Sequence, residues 1–228
     1  MSVQSGVASA GRAKRPKKRT GPGRPTRQQI EERNVELLDK ALDLFLEKGF
    51  EQATLNKITA AVGMAKRTVY ARYGDKTMLF KAVLRRAIDA WIVPVEQLRS
   101  AETGDVEESL LKIGHILVDN MMSPAGLKLM TITNSVSHRM PEIGEFTFHL
   151  GTESTLRYLA DFFRRRFSRN RTELPNADEA AAAFLNLVVG GPARLTVWGM
   201  PQDQDAIERH TRYSVRLFLH GLMHTQPY

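Results

Sequence analysis

The chain has 228 residues, 42% of them hydrophobic, a formal charge of +8 and no cysteine. Such a length can bury an ordinary core, and the missing cysteines exclude disulfides, thiolate nucleophiles and cysteine-ligated zinc. No apolar stretch reads as the roughly 20 residues needed to span a membrane, and no apolar region follows the basic N-terminus as a secretory signal would require. A cytoplasmic protein with no membrane partner is the expectation.

The positive charge is concentrated at one end. Residues 1–27 hold Arg12, Lys14, Arg15, Lys17, Lys18, Arg19, Arg24 and Arg27 with no acidic residue, so the remainder balances to zero. Gly, Ser, Pro and charge dominate residues 1–30, which are expected to form a disordered basic arm. Nucleic acid, acidic lipid and simple solubility would all suit such an arm. The Gly23-Arg24-Pro25 step favours DNA, because a restrained Arg24 can enter a narrow A·T-rich minor groove. A phosphate-binding arm with no preferred groove is the alternative.

Residues 31–48 predict a helix with Val35, Leu38, Ala41, Leu42 and Phe45 on one face. Gly49 is placed to end it, and Phe50 to fold back onto that face. Thr54 reads as the N-cap of a short helix carrying Leu55, Ile58 and Val62. Gly63 supplies a turn, by close approach or positive φ, and Met64, Val69 and Tyr73 complete the buried side of the next segment. The exposed positions there are Lys66, Arg67, Thr68, Tyr70 and Arg72.

That polarity pattern is the pattern of a helix–turn–helix. Lys66 and Arg67 stand near a helix start, where unpaired amides also attract phosphate. Thr68 and Tyr70 offer hydroxyls to a nucleic-acid backbone, and Arg72 can reach a base edge or phosphate. Asp75 is a candidate N-cap for a helix running to about Trp91. Lys76 falls in its first turn, against the helix dipole unless something negative approaches.

Residues 31–91 resemble the DNA-binding domain of TetR-type bacterial transcriptional regulators. The resemblance rests on Ala41 through Phe50, Thr54 through Gly63, Thr68 through Lys76, and Leu79, Phe80 and Val83. It implies that Thr54, Thr68, Tyr70 and Lys76 anchor phosphates, while Lys66, Arg67 and Arg72 stand where base contacts are made. Two residues depart from the family pattern: Thr59 where Ala is usual, with a hydroxyl able to return to the helix backbone, and Tyr73 where Phe is common. Tyr73 would bring its hydroxyl toward the surface and could add a phosphate contact.

Residues 92–228 read as helices only, so the fold class is all-α: a three-helix DNA-reading domain plus a larger helical effector-binding and dimerisation domain. Helices are expected over 106–122, 127–136, 141–168, 178–198 and 203–222, with a kink at Gly190-Gly191-Pro192. Ile207, Thr211, Val215, Phe218 and Leu222 form one stripe on the last helix, suited equally to a dimer interface or to the internal core. The family resemblance implies a homodimer through 178–198 and 203–222, which would place two recognition helices on a near-palindromic operator. It also implies a small-molecule effector, with Trp91, His115, Met122, Met130, Phe146, Arg194 and Trp198 as pocket candidates.

His138, Glu142, Glu145 and His149 are spaced like a helical metal set, but Pro141 starts a helix inside the set and leaves His138 outside. No metal and no cofactor is expected, and no enzyme. The expected function is a sequence-specific, ligand-responsive repressor. The competing readings are an architectural DNA binder dominated by the arm and, further off, a metal-dependent enzyme.

Overall fold

The computed structural model describes residues 26–167 and 176–224, and every regular element among them is a helix. Arg24 and the rest of the basic arm lie outside the described residues.

The first helix, α1 (Arg27–Gln52), begins inside the stretch expected to be disordered. Its start is a capping box: the Thr26 hydroxyl accepts from the Gln29 N–H at 3.2 Å, and the Gln29 side chain accepts from the Thr26 N–H at 2.9 Å. At Gly49 the backbone takes φ 73°, a conformation that favours glycine, and the helix kinks rather than stops. The turn beyond it returns Phe50 to the core, 5.8 Å from Phe45 and 5.1 Å from Phe80 between ring centres.

Three helices follow: α2 (Leu55–Ala61), α3 (Lys66–Tyr73) and α4 (Lys76–Trp91). Gly63 between α2 and α3 has φ 61°, with nothing within 4 Å of where a Cβ would stand. Backbone conformation, not close approach, is what requires glycine there. A short helix absent from the sequence reading, α5 (Val95–Ser100), then leads to α6 (Val106–Met122). The next helix, α7 (Pro124–Ser137), starts earlier than expected because Ser123 caps it and Pro124 fits the first turn.

The last helices are interrupted by π-helical turns. One of these, Phe148–Thr152, joins α8 (Pro141–Thr147) to α9 (Glu153–Phe167). A second among the described residues, Asn186–Gly190, joins α10 (Ala177–Leu185) to α11 (Gly191–Val197), where the kink was expected. His210 on α12 (Gln204–His224) donates from Nε2 to the Leu187 carbonyl at 3.0 Å, giving that turn's backbone a side-chain partner.

Apolar side chains gather in two clusters. One joins α1–α4 through Leu37, Phe45, Ile58, Val69, Phe80 and Leu84, and extends into Leu129, Ile132, Val136 and Ile143 of α7 and α8. Packing therefore runs across the sequence division at residue 91. The other cluster holds Leu98, Ile113, Leu159, Phe163, Phe184, Val188, Val215 and Phe218. Within it α5 is fastened to α9: the Tyr158 hydroxyl donates to the Leu98 carbonyl at 3.0 Å and to Glu102 at 3.1 Å, and Arg165 grips Glu102 with two nitrogens.

One reading left open by the sequence is decided here, and one expectation changes. Ile207, Thr211, Val215 and Phe218 are buried within the body, so this stripe is internal core and not a surface for a second copy. Residues Ala177–Val197 are long and apolar enough to cross a membrane by length and composition, with mean hydropathy 1.4, contrary to the expectation that no such stretch exists. That composition follows from core duty: Ala181, Phe184, Val188 and Ala193 are buried against the surrounding helices.

Candidate nucleic-acid interface

The candidate recognition element is α3, held by one deeply buried side chain, Val69, at 1% exposure. Opposite it, Arg67, Thr68, Tyr70, Ala71 and Arg72 face solvent. Ala65, Arg67, Thr68, Ala71 and Arg72 line an open concavity of about 490 Å³. Lys66 lies over the Tyr70 ring, 5.3 Å from its centre, a placement that concentrates cation and hydroxyl at one edge.

Thr54 caps α2 by accepting from the Lys57 N–H at 3.3 Å, which leaves the hydroxyl proton available to a phosphate oxygen. Thr59 returns its hydroxyl to the Asn56 carbonyl at 3.1 Å, as expected. Asp75 caps α4 by accepting from the Met78 N–H at 2.8 Å.

Two of the candidate DNA contacts are engaged inward. Lys76 donates to the carbonyls of Phe50 and Glu51 at 2.9 and 3.3 Å, and its ammonium sits 4.2 Å from the centre of the Phe50 ring. The carbonyl end of α1 answers its conflict with the α4 dipole. The Tyr73 hydroxyl, expected to approach the surface, instead donates to Asn34 Oδ1 of α1. Burial raises the Tyr73 pKa against the opposing effects of the Arg72 guanidinium and the Asn34 hydrogen bond, so the hydroxyl remains a donor.

Asn34 and Glu31 are the residues that sequence reading missed. Asn34 is buried among Leu37, Leu38, Ala41 and Phe45, a polar residue in an apolar stripe, and that interruption was the available signal. Glu31 stands 3.4 Å from the Arg72 guanidinium, so α1 also meets the solvent face of α3 at its C-terminal end. Arg86 adds a further tie to α1, with two nitrogens on Asp39 at 2.9 and 3.2 Å.

The seven effector-pocket candidates do not converge. Trp91 alone among them lines the cavities found at the end of α4. One is a groove of about 330 Å³ between Trp91, Gln97, Ile116 and Asn120; the other is a smaller space of about 70 Å³ bounded by Trp91, Leu117, Gly151, Thr155 and Val189. The Trp91 indole donates to the Asn120 carbonyl at 2.9 Å. The other six stand elsewhere. His115 lies 2.6 Å from Glu208 across α6 and α12, and Met122 packs on the second cluster. Phe146 lies beneath Lys81 and Arg85. Arg194 stacks on Trp198, which is 66% exposed, and Met130 is half-buried on α7. Among the described residues no group of three or more His, Asp or Glu could hold a metal ion; His138 follows the end of α7, while His149 pairs with Glu153 at 3.0 Å.

Known proteins share this arrangement. Residues 37–83 match the model of the bacterial regulatory proteins of the tetR family. Residues 108–221 match the C-terminal domain of the AefR-like transcriptional repressors. The chain is 30% identical over 160 residues to the HTH-type transcriptional repressor ComR of Escherichia coli K12, covering 68% of this chain and 74% of that one. It is 24% identical over 182 residues to the HTH-type transcriptional regulator YezE of Bacillus subtilis 168, covering 78% and 92%. The solved structure of the flavonoid-responsive regulator FrrA superposes with a TM-score of 0.69 at 26% identity, over 84% of this chain and 97% of that one. A TetR regulator from Agrobacterium tumefaciens gives 0.62 at 22% identity, over 83% and 93%. TetR-family regulators bind operator DNA, form dimers and bind small-molecule effectors. With both halves matched and a repressor of that kind at 30% identity, the chain belongs to the TetR family of bacterial transcriptional regulators.

Proposed function

We propose that the protein is a dimeric repressor of transcription that reads a near-palindromic operator and is released by a small molecule. The observation that carries the reading is the solvent face of α3, where Arg67, Thr68 and Arg72 line a concavity, with Tyr70 exposed beside them and Val69 buried beneath. Tyr70 and Thr54 donate to phosphate oxygens, Lys66 adds charge, and Arg67 and Arg72 reach base edges. Lys76 acts through the end of α1, and Tyr73 through Asn34.

Repression is supported by the name of the ComR relative, and ligand release by the name of FrrA. The effector enters beside Trp91, where the last DNA-domain helix meets α6 and both π-helical turns. A ligand there acts as a switch only by favouring an arrangement of α4 that does not fit the operator. Dimerisation uses the exposed side of α12 and the end of α11, where Tyr213, Leu217 and Trp198 are 68%, 49% and 66% exposed.

Footprinting of the DNA upstream of the protein's own gene tests this reading. Two protected half-sites one helical turn apart, about 34–36 Å, are expected. Uniform protection without symmetry would overturn it in favour of an architectural binder.

A further inference from the structure

We propose that Ala71 reads the 5-methyl group of a thymine in each operator half-site, beside a guanine held by Arg67. The inference rests on the DNA-binding reading above and assigns the base chemistry of that same surface.

Helical geometry places Ala71 about 200° around α3 from Val69, at the middle of the face turned away from the core. Arg67 is its neighbour one turn earlier, and Thr68 flanks it on the other side. Ala71 is exposed, lines the concavity and brings no polar atom to it. A long side chain at this central position would hold the helix off the groove floor. Alanine lets the helix approach, but its methyl can be matched only by an apolar group. In the major groove the thymine C5-methyl is that group, the one methyl among the donors and acceptors that the four base edges present there. Arg67, exposed on the same face, carries the planar fork that pairs with guanine O6 and N7. Each half-site should therefore hold a thymine next to a guanine.

The test uses full-length protein and a random duplex pool. Selection should return a palindrome with a thymine and a guanine fixed in each half. Replacing that thymine by deoxyuridine removes only the methyl group, and should weaken binding about fourfold per half-site, the transfer free energy of one buried methylene. The penalty should vanish for Ala71→Gly, measured well below its melting temperature. A palindrome whose thymines all tolerate deoxyuridine overturns the proposal and leaves operator binding intact. So does a penalty that persists in Ala71→Gly, which would assign the methyl to another residue such as Thr68. A pool that yields no common sequence overturns both this inference and the repressor reading beneath it.

Discussion

The Tyr73 hydroxyl of α3 donates to the buried Asn34 Oδ1 of α1. This bond ties the last turn of α3, a helix only eight residues long, to the buried side of α1. Tyr73→Phe leaves the Asn34 carbonyl oxygen buried without its donor, which costs about 1–2 kcal/mol. Thermal unfolding should show that loss, while operator affinity measured far below the transition stays within about twofold, the scale of a lost contact elsewhere in the fold. Lost affinity with unchanged stability would mean that Tyr73 touches phosphate.

Arg72 is shared between DNA and Glu31. The pair stands 3.4 Å apart with both side chains substantially exposed, so its coupling is worth at most about 1 kcal/mol. Glu31→Gln frees the guanidinium and removes a carboxylate from the vicinity of the duplex. Fluorescence anisotropy should report affinity raised about twofold to fivefold. In an Arg72→Ala background the same substitution should give a smaller gain.

Much of the fold was legible because its signals are local. Thr54, Gly63 and Asp75 mark their helix ends by side-chain chemistry or required φ, and all three act where expected. The π-helical turns were not legible, since Phe148–Thr152 and Asn186–Gly190 keep helical composition while changing the hydrogen-bond register. Periodicity could not say which apolar stripe faces a partner, and the one on α12 proved internal. At the site, exposed residue types were readable, but pairings across the fold were not. Lys76 meets the end of α1 and Tyr73 meets Asn34 only once α1 has packed against the recognition unit.

Acid should loosen the body at α5. Burial opposes the charge on Glu102, but Arg165 and the Tyr158 hydroxyl outweigh it and hold its pKa below the ordinary value of 4.5. The ionised carboxylate is thus favoured in the folded state, contributing stability above the ordinary value that is lost as pH falls through the folded one. Glu102→Gln should cost about 1 kcal/mol at neutral pH. Urea unfolding should show the gap to the unmodified protein narrowing below about pH 4, where the carboxylates protonate.

The exposed side of α12 carries the proposed dimer. Tyr213 and Leu217 lie one turn apart and are 68% and 49% exposed in the single chain. Leu217→Glu should yield a monomer by sedimentation with unchanged helical content. Its affinity for a single half-site should persist while binding to the full operator falls steeply, because the two halves are no longer linked. A dimer that survives the substitution would move the interface elsewhere.

The central claim is that α3 reads a defined sequence, and selection of genomic fragments by the full-length protein at physiological salt tests it most directly. Recovery of one near-palindromic site, retained when Arg24 and the other arm cations of residues 1–25 are removed, is the expected result. Broad recovery with no shared site, abolished by removing the arm, would contradict it and leave a binder held by phosphate charge alone.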